Sequence, residues 1–236
     1  MDIIVIGSGG REHAIIKKLS ENKEINKIYA LPGNAGMYEA ECIPIAARDI
    51  DGIVDFAKNH NIGFAVVAPD DPLVLGCVDA LEKNGIPCFG PTGGAAQIEG
   101  SKVFSKNLMK KYGIPTAAYE VFDSLSSARE YVKTSKTPIV IKADGLALGK
   151  GVLICRTTEE AFEALTEIME DKIFGDSGNR VVIEEFLEGP EVSVLSFTDS
   201  HVVIPMVSSM DHKRAGDGDT GLNTGGMGTI APNPCY

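Results

Sequence analysis

Short apolar runs alternate with longer amphipathic stretches through the first part of the chain, up to about residue 90. The apolar runs predict strands, and the stretches with apolar residues three or four positions apart predict helices. Strands that alternate with helices indicate right-handed β-α-β units and a parallel sheet. The predicted strands are 2–6, 27–30, 64–68 and 86–89, and the predicted helices are 11–22, 49–60 and 73–84.

Glycine-rich or charged motifs follow the first three of these strands: GSGGRE, PGNAG and PDDP. Ligands of parallel sheets bind beyond the carboxyl ends of the strands. GSGGRE also opens a helix, so its backbone N–H groups and the helix dipole suit an anion, although a plain strand-to-helix turn would use the same glycines. The motif is not a dinucleotide fingerprint because Glu12 occupies the third glycine position, which argues against NAD.

The pattern changes near residue 100, where we expect a domain boundary followed by a helix at 101–111. The second half predicts a small α+β layer instead of more alternating units. Residues 208–236 show neither a helical nor a strand period, so we expect an irregular, functional segment there. The predicted strands of this half are 119–122, 138–142, 152–155, 181–186, 191–197 and 202–207, and the predicted helices are 126–133 and 159–170.

Composition excludes several classes of protein. The chain carries 22 basic and 33 acidic side chains, a net charge of −11, which argues against binding to nucleic acid. No run approaches the roughly 18 apolar residues of a membrane span, so we expect a cytoplasmic protein. The five cysteines lack any C-x-x-C spacing and are expected to be buried or inert, with neither a disulfide framework nor a zinc site.

The segment KADGLALGKG, residues 142–151, joins two predicted strands with a glycine-rich and basic loop. It is not a P-loop, because its glycine spacing is one residue too short and it leads into a strand instead of a helix. A strand-loop-strand flap can fold over a polyphosphate, with Lys142 and Lys150 supplying charge and the glycines allowing close backbone approach. A mobile surface hairpin is the alternative.

Two further motifs allow more than one interpretation. VVIEEFLEGPEVSV has the composition of an edge hairpin with solvated acidic residues. DHKRAGDGDTGLNTGGMG, residues 211–228, has that of a solvated loop, but its many polar groups also suit a small zwitterionic or phosphorylated ligand.

Taken in order along the whole chain, VIGSGGREHA, PGNAG, FGPTGGAAQIEGSK, PIVIKADGLALGKGV, VIEEFLEGPEVS and the 211–228 segment resemble the glycinamide ribonucleotide synthetase (phosphoribosylamine-glycine ligase) family of ATP-grasp enzymes. The resemblance implies an α/β fold, with a Rossmann-like (pre-ATP-grasp) parallel-sheet domain at 1–100 followed by an incomplete ATP-grasp α+β domain at 101–236. The small nucleotide-binding lobe would span about 120–190, and the C-terminal lobe would be truncated.

The resemblance implies an ATP site in the second half of the chain. Residues 142–151 would close over the triphosphate, with Lys142 catalytic, and either Lys102 or Lys106 would supply a second cation. The adenine would lie against the backbone of residues 184–187, and Glu191 would accept from the ribose hydroxyls. The implied ATP-binding residues are Lys102, Lys106, Lys142, Gly145, Gly149, Lys150, Gly151, Glu184, Glu185, Phe186, Leu187 and Glu191.

The resemblance also implies a substrate site for glycine and 5-phosphoribosylamine in a cleft between the domains, with Lys213 as a second catalytic residue. Where the family usually reads G-P-E-x-P-L, this chain has APDDPL, so the acidic residue is the shorter Asp70. The implied substrate-binding residues are Gly9, Gly10, Arg11, Glu12, Asn34, Ala35, Gly36, Pro69, Asp70, Asp211, Lys213, Asn223, Thr224, Gly225, Gly226 and Met227.

The reaction implied by the resemblance joins glycine to 5-phosphoribosylamine through glycyl phosphate, giving glycinamide ribonucleotide, ADP and phosphate. It uses ATP with Mg²⁺ or Mn²⁺, whose ligands are expected beyond Tyr236, so the chain alone is expected to be an inactive N-terminal fragment and a monomer. Two alternatives remain open: a non-catalytic nucleotide-binding module, and another ATP-grasp ligase or carboxylase of the purine pathway.

Overall fold

The computed structural model describes residues 1–147, 150–218 and 220–236. Contacts divide the chain into two compact units, Met1–Ser105 and Lys106–Tyr236. No helix within the described ranges is both long and apolar enough to cross a lipid bilayer.

The first unit is built on a five-stranded sheet of order β3-β2-β1-β4-β5, in which every neighbouring pair is parallel. Its central strand is buried on both faces, from Ile3 to Ile6, which explains its continuous apolar sequence. The predicted parallel sheet is therefore confirmed. The strands are β1 Asp2–Gly7, β2 Lys27–Pro32, β3 Glu41–Cys42, β4 Phe64–Val67 and β5 Cys88–Phe89.

Helices cover this sheet, and one predicted helix divides into two. The sequence predicts a helix over 73–84, but Gly76 has a φ of +82°, which interrupts it and begins a second helix. A further helix, not predicted, starts where the Thr92 side chain accepts from the backbone N–H of Ala95. The helices are α1 Gly10–Leu19, α2 Ile50–Asn59, α3 Asp70–Val74, α4 Cys77–Lys83, α5 Gly93–Gly100 and α6 Lys102–Tyr112, which continues into the second unit.

The second unit contains a four-stranded antiparallel sheet of order β6-β9-β7-β8. One face is apolar and packs against two helices, with Ile141 and Ile183 buried in its centre. Alternation along the strands places Val140, Lys142 and Glu184 on the opposite face. The elements are β6 Tyr119–Phe122, α7 Leu125–Thr134, β7 Ile139–Ala143, β8 Val152–Cys155, α8 Thr158–Leu165, a π-helical turn Thr166–Glu170, a 3-10 helix Gly175–Asn179 and β9 Val181–Glu185.

The remainder of the second unit corrects two expectations. The predicted strand 191–197 is irregular apart from a bridge at Ser193 and the short strand β10 Ser196–Thr198, which pairs with β11 Val203–Pro205. Residues 208–236, expected to be irregular, contain the antiparallel strands β12 Met210–Gly216 and β13 Thr220–Ile230. Backbone hydrogen bonds hold this hairpin. Its residues are mostly exposed and are polar or small, so the sequence shows no apolar period from which the two strands could be predicted.

The cysteines divide by burial. Burial raises the pKa of the Cys77 and Cys155 thiols to about 11, as expected for inert thiols. Cys42 and Cys235 are exposed, so of the two expectations, burial or an inert thiol, burial does not apply to them.

The π-helical turn and the 3-10 helix pack together at Gly178. A Cβ added there would lie 2.1 Å from the carbonyl oxygen of Ile168, a backbone atom that cannot rotate away. We expect Gly178→Ala to lower the free energy of unfolding by about 1–3 kcal/mol through overpacking. Urea denaturation measures this.

The matched control is Gly228→Ala, because a Cβ at Gly228 would meet nothing within 4 Å. We expect this control to change stability by less than about 0.5 kcal/mol. Equal stability of the two variants would contradict the packing argument.

Candidate functional site

Two of the predicted substrate motifs of the first unit meet at the carboxyl ends of adjacent strands, and the third approaches them. The Asn34 amide donates to the carbonyl of Ser8 at 2.8 Å, which ties the loop after β2 to the turn after β1. Its Oδ1 accepts from the backbone N–H of Gly36 at 2.7 Å. Pro69, after β4, lies so close to Gly7 that a Cβ there would be 2.9 Å from its ring. The strand order of the sheet brings these three loops together.

Glu12 organises the turn between β1 and α1. The residue is 3% exposed, and its Oε2 accepts from the backbone N–H of Gly9 at 2.6 Å. The other oxygen, Oε1, is buried and has no hydrogen-bond partner among the described residues. The side chain leaves no space for a Cβ at Gly7, whose φ is +127°. Glu12 therefore supports the turn and retains one acceptor oxygen.

The other substrate residues predicted in this unit lie in the same loops. Gly10 begins α1 and Asp70 begins α3. Arg11 and Ala35 are exposed.

In the second unit, three charged side chains form a cluster on the face of the sheet that points away from α7 and α8. Glu184 Oε2 lies 2.5 Å from Lys106 Nζ, and Glu184 Oε1 forms an ion pair with Lys142 Nζ. Val140 is directly opposite Glu184 in the β7-β9 ladder, so Lys142 is its diagonal neighbour on the same face. The Glu184 side chain is 4% exposed, that of Lys106 9% and that of Lys142 28%.

Lys106 is held by more than its ion pair. Its ammonium also donates to Thr116 Oγ1 at 2.7 Å and to the carbonyl of Ala117 at 3.4 Å. It lies 5.3 Å from the centre of the Tyr119 ring. With three oxygen acceptors for three N–H groups, Lys106 is satisfied by the protein itself.

The base of the glycine-rich loop is fixed from two sides. The backbone N–H of Ala143 donates to the carbonyl of Gly151 at 2.9 Å, which closes the loop where its strands begin to separate. Arg180 pairs with the Asp144 carboxylate at 2.6 Å. Gly145 has a φ of +114°, and a Cβ there would lie 2.7 Å from Ser177 Oγ. Only glycine fits that contact and that backbone conformation.

The other loop residues are placed only in part. Lys150 is exposed, and its backbone N–H donates to the carbonyl of Ala147 at 2.9 Å. Gly149 lies outside the described residues.

The segment after β9 is anchored by Glu185. Its backbone N–H donates to the carbonyl of Ala118 at 3.0 Å, and its Oε1 accepts from the N–H of Ala118 at 2.9 Å. Phe186 is half-buried, whereas Leu187 is 65% exposed. Glu185 thus fixes the start of the segment, and the exposed residues that follow are accessible to a ligand.

A second charged group joins Glu191 to the β12-β13 hairpin. Lys213 Nζ pairs with Glu191 and lies 3.1 Å from Asp211 Oδ2. Partial burial opposes the effect, but hydrogen bonds to these two carboxylates raise the pKa of Lys213 above its ordinary value. Across the hairpin, Thr224 Oγ1 donates to the carbonyl of Lys213 at 2.8 Å and accepts from the N–H of Gly226 at 3.1 Å. The structure therefore brings these predicted residues together.

The remaining predicted residues of the hairpin, Gly225 and Met227, lie on β13, and Met227 is 62% exposed. The side chain of Asn223 lies outside the described part of the chain.

Sequence reasoning missed Asn233, which supports this region. Asn233 is 3% exposed, and its amide donates to the carbonyls of Glu191 at 2.9 Å and Ser209 at 3.1 Å. Its Oδ1 accepts from the N–H of Cys235 at 2.8 Å. A single asparagine in a segment without period offers no signal of this role, although its position between two prolines indicates a fixed turn.

The described residues, 1–147, 150–218 and 220–236, contain no group of three or more His, Cys, Asp or Glu side chains that could hold a metal ion. Among the described residues, these side chains therefore form no such group for the divalent ion that the resemblance implies.

A parallel-sheet unit followed by an antiparallel sheet with a lysine-bearing, glycine-rich loop defines an ATP-grasp protein. The fold is similar to the biotin carboxylase domain of Hydrogenobacter thermophilus 2-oxoglutarate carboxylase, with a TM-score of 0.73 and 19% identity over 90% of this chain and 50% of that one. At this identity the likeness concerns the fold alone. The predicted fold class is confirmed.

The chain belongs to the phosphoribosylglycinamide synthetase family. The model of the family's N domain matches residues 1–99, and that of its ATP-grasp (A) domain matches residues 100–236. The resemblance seen in the sequence motifs is therefore confirmed.

Named relatives agree with this placement. The phosphoribosylamine-glycine ligase of Halalkalibacterium halodurans is 51% identical over 100% of this chain and 55% of its own length, and that of Yersinia pestis is 49% identical over 99% and 55%. The crystal structure of the Thermotoga maritima ligase superposes with a TM-score of 0.82 and 35% identity, covering 97% of this chain and 55% of that one. The chain thus spans about half the length of these relatives.

Asn233 provides a test of how the Glu191 region is held. In Asn233→Asp, a carboxylate oxygen would replace the amide nitrogen that donates to two carbonyls. This buried oxygen would then lie against two carbonyl oxygens with no hydrogen to share. We expect the free energy of unfolding to fall by about 1–3 kcal/mol at pH 7, measured by urea denaturation.

The control is Asn107→Asp. Asn107 is exposed, and its Oδ1 accepts from the Tyr119 hydroxyl at 3.1 Å, its one side-chain hydrogen bond among the described residues. Aspartate can still accept this bond. A change of less than about 0.5 kcal/mol is expected. If the two variants lost equal stability, the donor role of Asn233 would be refuted.

Proposed function

We propose that the protein carrying this chain joins glycine to 5-phosphoribosylamine at the expense of ATP, giving glycinamide ribonucleotide, ADP and phosphate. The observation that carries the proposal is the placement of Lys142 at the end of β7, where the glycine-rich loop begins, beside the carboxylate of Glu184 on β9. Relatives named phosphoribosylamine-glycine ligase that match almost the whole chain support the choice of substrates.

In this proposal the second unit binds ATP. Lys142 contacts the triphosphate, and the glycine-rich loop, including Gly145, Lys150 and Gly151, closes over it. The adenine lies against the backbone of residues 184–187, and Glu191 accepts from the ribose hydroxyls. The fixed loop base and the exposed segment after Glu185 support this arrangement.

Of the two lysines that the resemblance offers as a second cation, the proposal does not use Lys106. Lys106 already has three protein acceptors and is 7% exposed, so it has no N–H group left for a phosphate.

The proposal assigns phosphoribosylamine to the loops of the first unit that contain Gly9, Glu12, Asn34 and Pro69. The backbone N–H groups at the start of α1 suit the phosphate of the substrate. Glu12 Oε1 offers a buried hydrogen-bond acceptor in the same turn. Glycine is assigned to the group formed by Asp211 and Lys213 together with β13.

The chemistry needs no nucleophilic side chain. The glycine carboxylate attacks the γ-phosphate of ATP, ADP leaves, and the amine of phosphoribosylamine then displaces phosphate from glycyl phosphate. Lys142 and Lys213 act by positioning and by neutralising negative charge, which carry most of the catalysis in phosphoryl transfer. ATP-grasp enzymes use a divalent ion with ATP, but the described residues contain no group of three or more His, Cys, Asp or Glu side chains that could hold it.

The direct test uses the full protein encoded by the gene. We expect ADP to form only when ATP, glycine and 5-phosphoribosylamine are all present, with one ADP per glycinamide ribonucleotide, as measured by coupled ADP detection and mass spectrometry. ADP formation that does not depend on glycine, or that requires bicarbonate instead, would refute the proposed substrates.

The role of Lys142 has its own test. We expect Lys142→Ala in the full protein to lower kcat by about 10²-fold or more, because charge stabilisation of the transferred phosphoryl group is lost. Steady-state kinetics measures this, with Lys136→Ala, an exposed lysine of the same unit, as the control. Equal rates in the two variants would remove Lys142 from the site.

A further inference from the structure

Three charged side chains form one largely buried cluster in the second unit. Two ammonium groups, of Lys106 and Lys142, lie on opposite oxygens of the Glu184 carboxylate. Buried charges persist when they are paired and hydrogen-bonded. Lys106 meets both conditions through Glu184, Thr116 and Ala117, and Glu184 is paired on both of its oxygens. The formal charge of this group, here called the lysine-glutamate triad, is +1.

The sign of that charge depends on Lys106. Without Lys106, Glu184 and Lys142 would form a neutral pair, and a triphosphate would have to compete with a buried carboxylate for the Lys142 ammonium. With Lys106 on Oε2, the carboxylate is already neutralised from the other side. Lys142 then retains an uncompensated positive charge. A positive charge in a partly desolvated site attracts an anion more strongly than one in bulk water.

The two lysines differ in freedom. Lys106 is fixed by Thr116, by Ala117 and by the α6 backbone, and its side chain is only 9% exposed. Lys142 lies on β7, is 28% exposed, and has Glu184 as the one partner of its ammonium among the described residues. Lys106 can therefore stay on Glu184 while Lys142 turns to a phosphate.

We propose that Lys106 is a positioning residue for triphosphate binding: it neutralises Glu184 permanently, so that Lys142 is held in place by the carboxylate without being neutralised by it. This inference rests on the proposed function, since it assumes that the ligand of Lys142 is the ATP triphosphate. Lys106 itself touches no phosphate.

The test compares ATP with adenosine, which lacks the phosphates, by isothermal titration calorimetry on the full protein. We expect Lys106→Met to weaken ATP binding by about 10-fold or more while the affinity for adenosine stays within about threefold, because only the phosphate contact loses charge. Lys106→Arg retains the charge and should bind ATP within about threefold of the wild type.

A charge-matched variant separates this mechanism from a structural role. Lys106→Met/Glu184→Gln removes one positive and one negative charge, restores the +1 of the triad and leaves no buried carboxylate short of a partner. We expect it to recover most of the ATP affinity, to within about threefold of the wild type. If circular dichroism shows that Lys106→Met alone does not fold, the ATP affinity of this double variant tests the inference instead.

Three results would overturn the inference while leaving the proposed function intact: unchanged ATP affinity in folded Lys106→Met, equal losses for ATP and adenosine, or a folded double variant that does not recover. If the wild-type protein itself bound no ATP, the proposed function would fail, and the inference with it. The wild-type titration therefore distinguishes the two failures.

Discussion

The carboxylate of Glu184 is the group on which the proposed nucleotide site depends. It lies on the central strand β9, between β6 and β7, so its backbone is fixed on both sides by antiparallel ladders. A carboxylate that is 4% exposed is stable only if its partners are supplied by the fold, and here they come from helix α6 and strand β7. Through this one group the sheet, the helix and the start of the glycine-rich loop are connected.

The same constraint explains how the loop is held. The residues at its base are fixed by backbone pairing between Ala143 and Gly151 and by the ion pair of Arg180 with Asp144. Because Lys142 belongs to the strand and not to the loop beyond it, its backbone is positioned by the ladder with β9. A change in the loop beyond Gly145 therefore need not move the backbone that carries Lys142.

Much of this fold could be predicted from sequence where burial imposes a period. Strands such as β6 and β8 have the predicted bounds, because residues that must face a core produce a regular spacing of apolar positions in the sequence. The hairpin β12-β13 left no such pattern, since its exposed strands are held by backbone pairing. The division of the helix predicted over 73–84 depends on the φ of Gly76, which the apolar spacing does not reveal.

The site was predictable in its residue types but not in its connections. The family resemblance implies that Lys102 or Lys106 supplies a cation, but only the tertiary contacts with Thr116 and Glu184 show that the Lys106 ammonium already has protein partners. Those partners lie 10 residues and more away along the chain, so no local pattern joins them. In the proposed role such a lysine shapes the field around a ligand without contacting it, and identifying it requires the acceptors around each ammonium group to be counted in three dimensions.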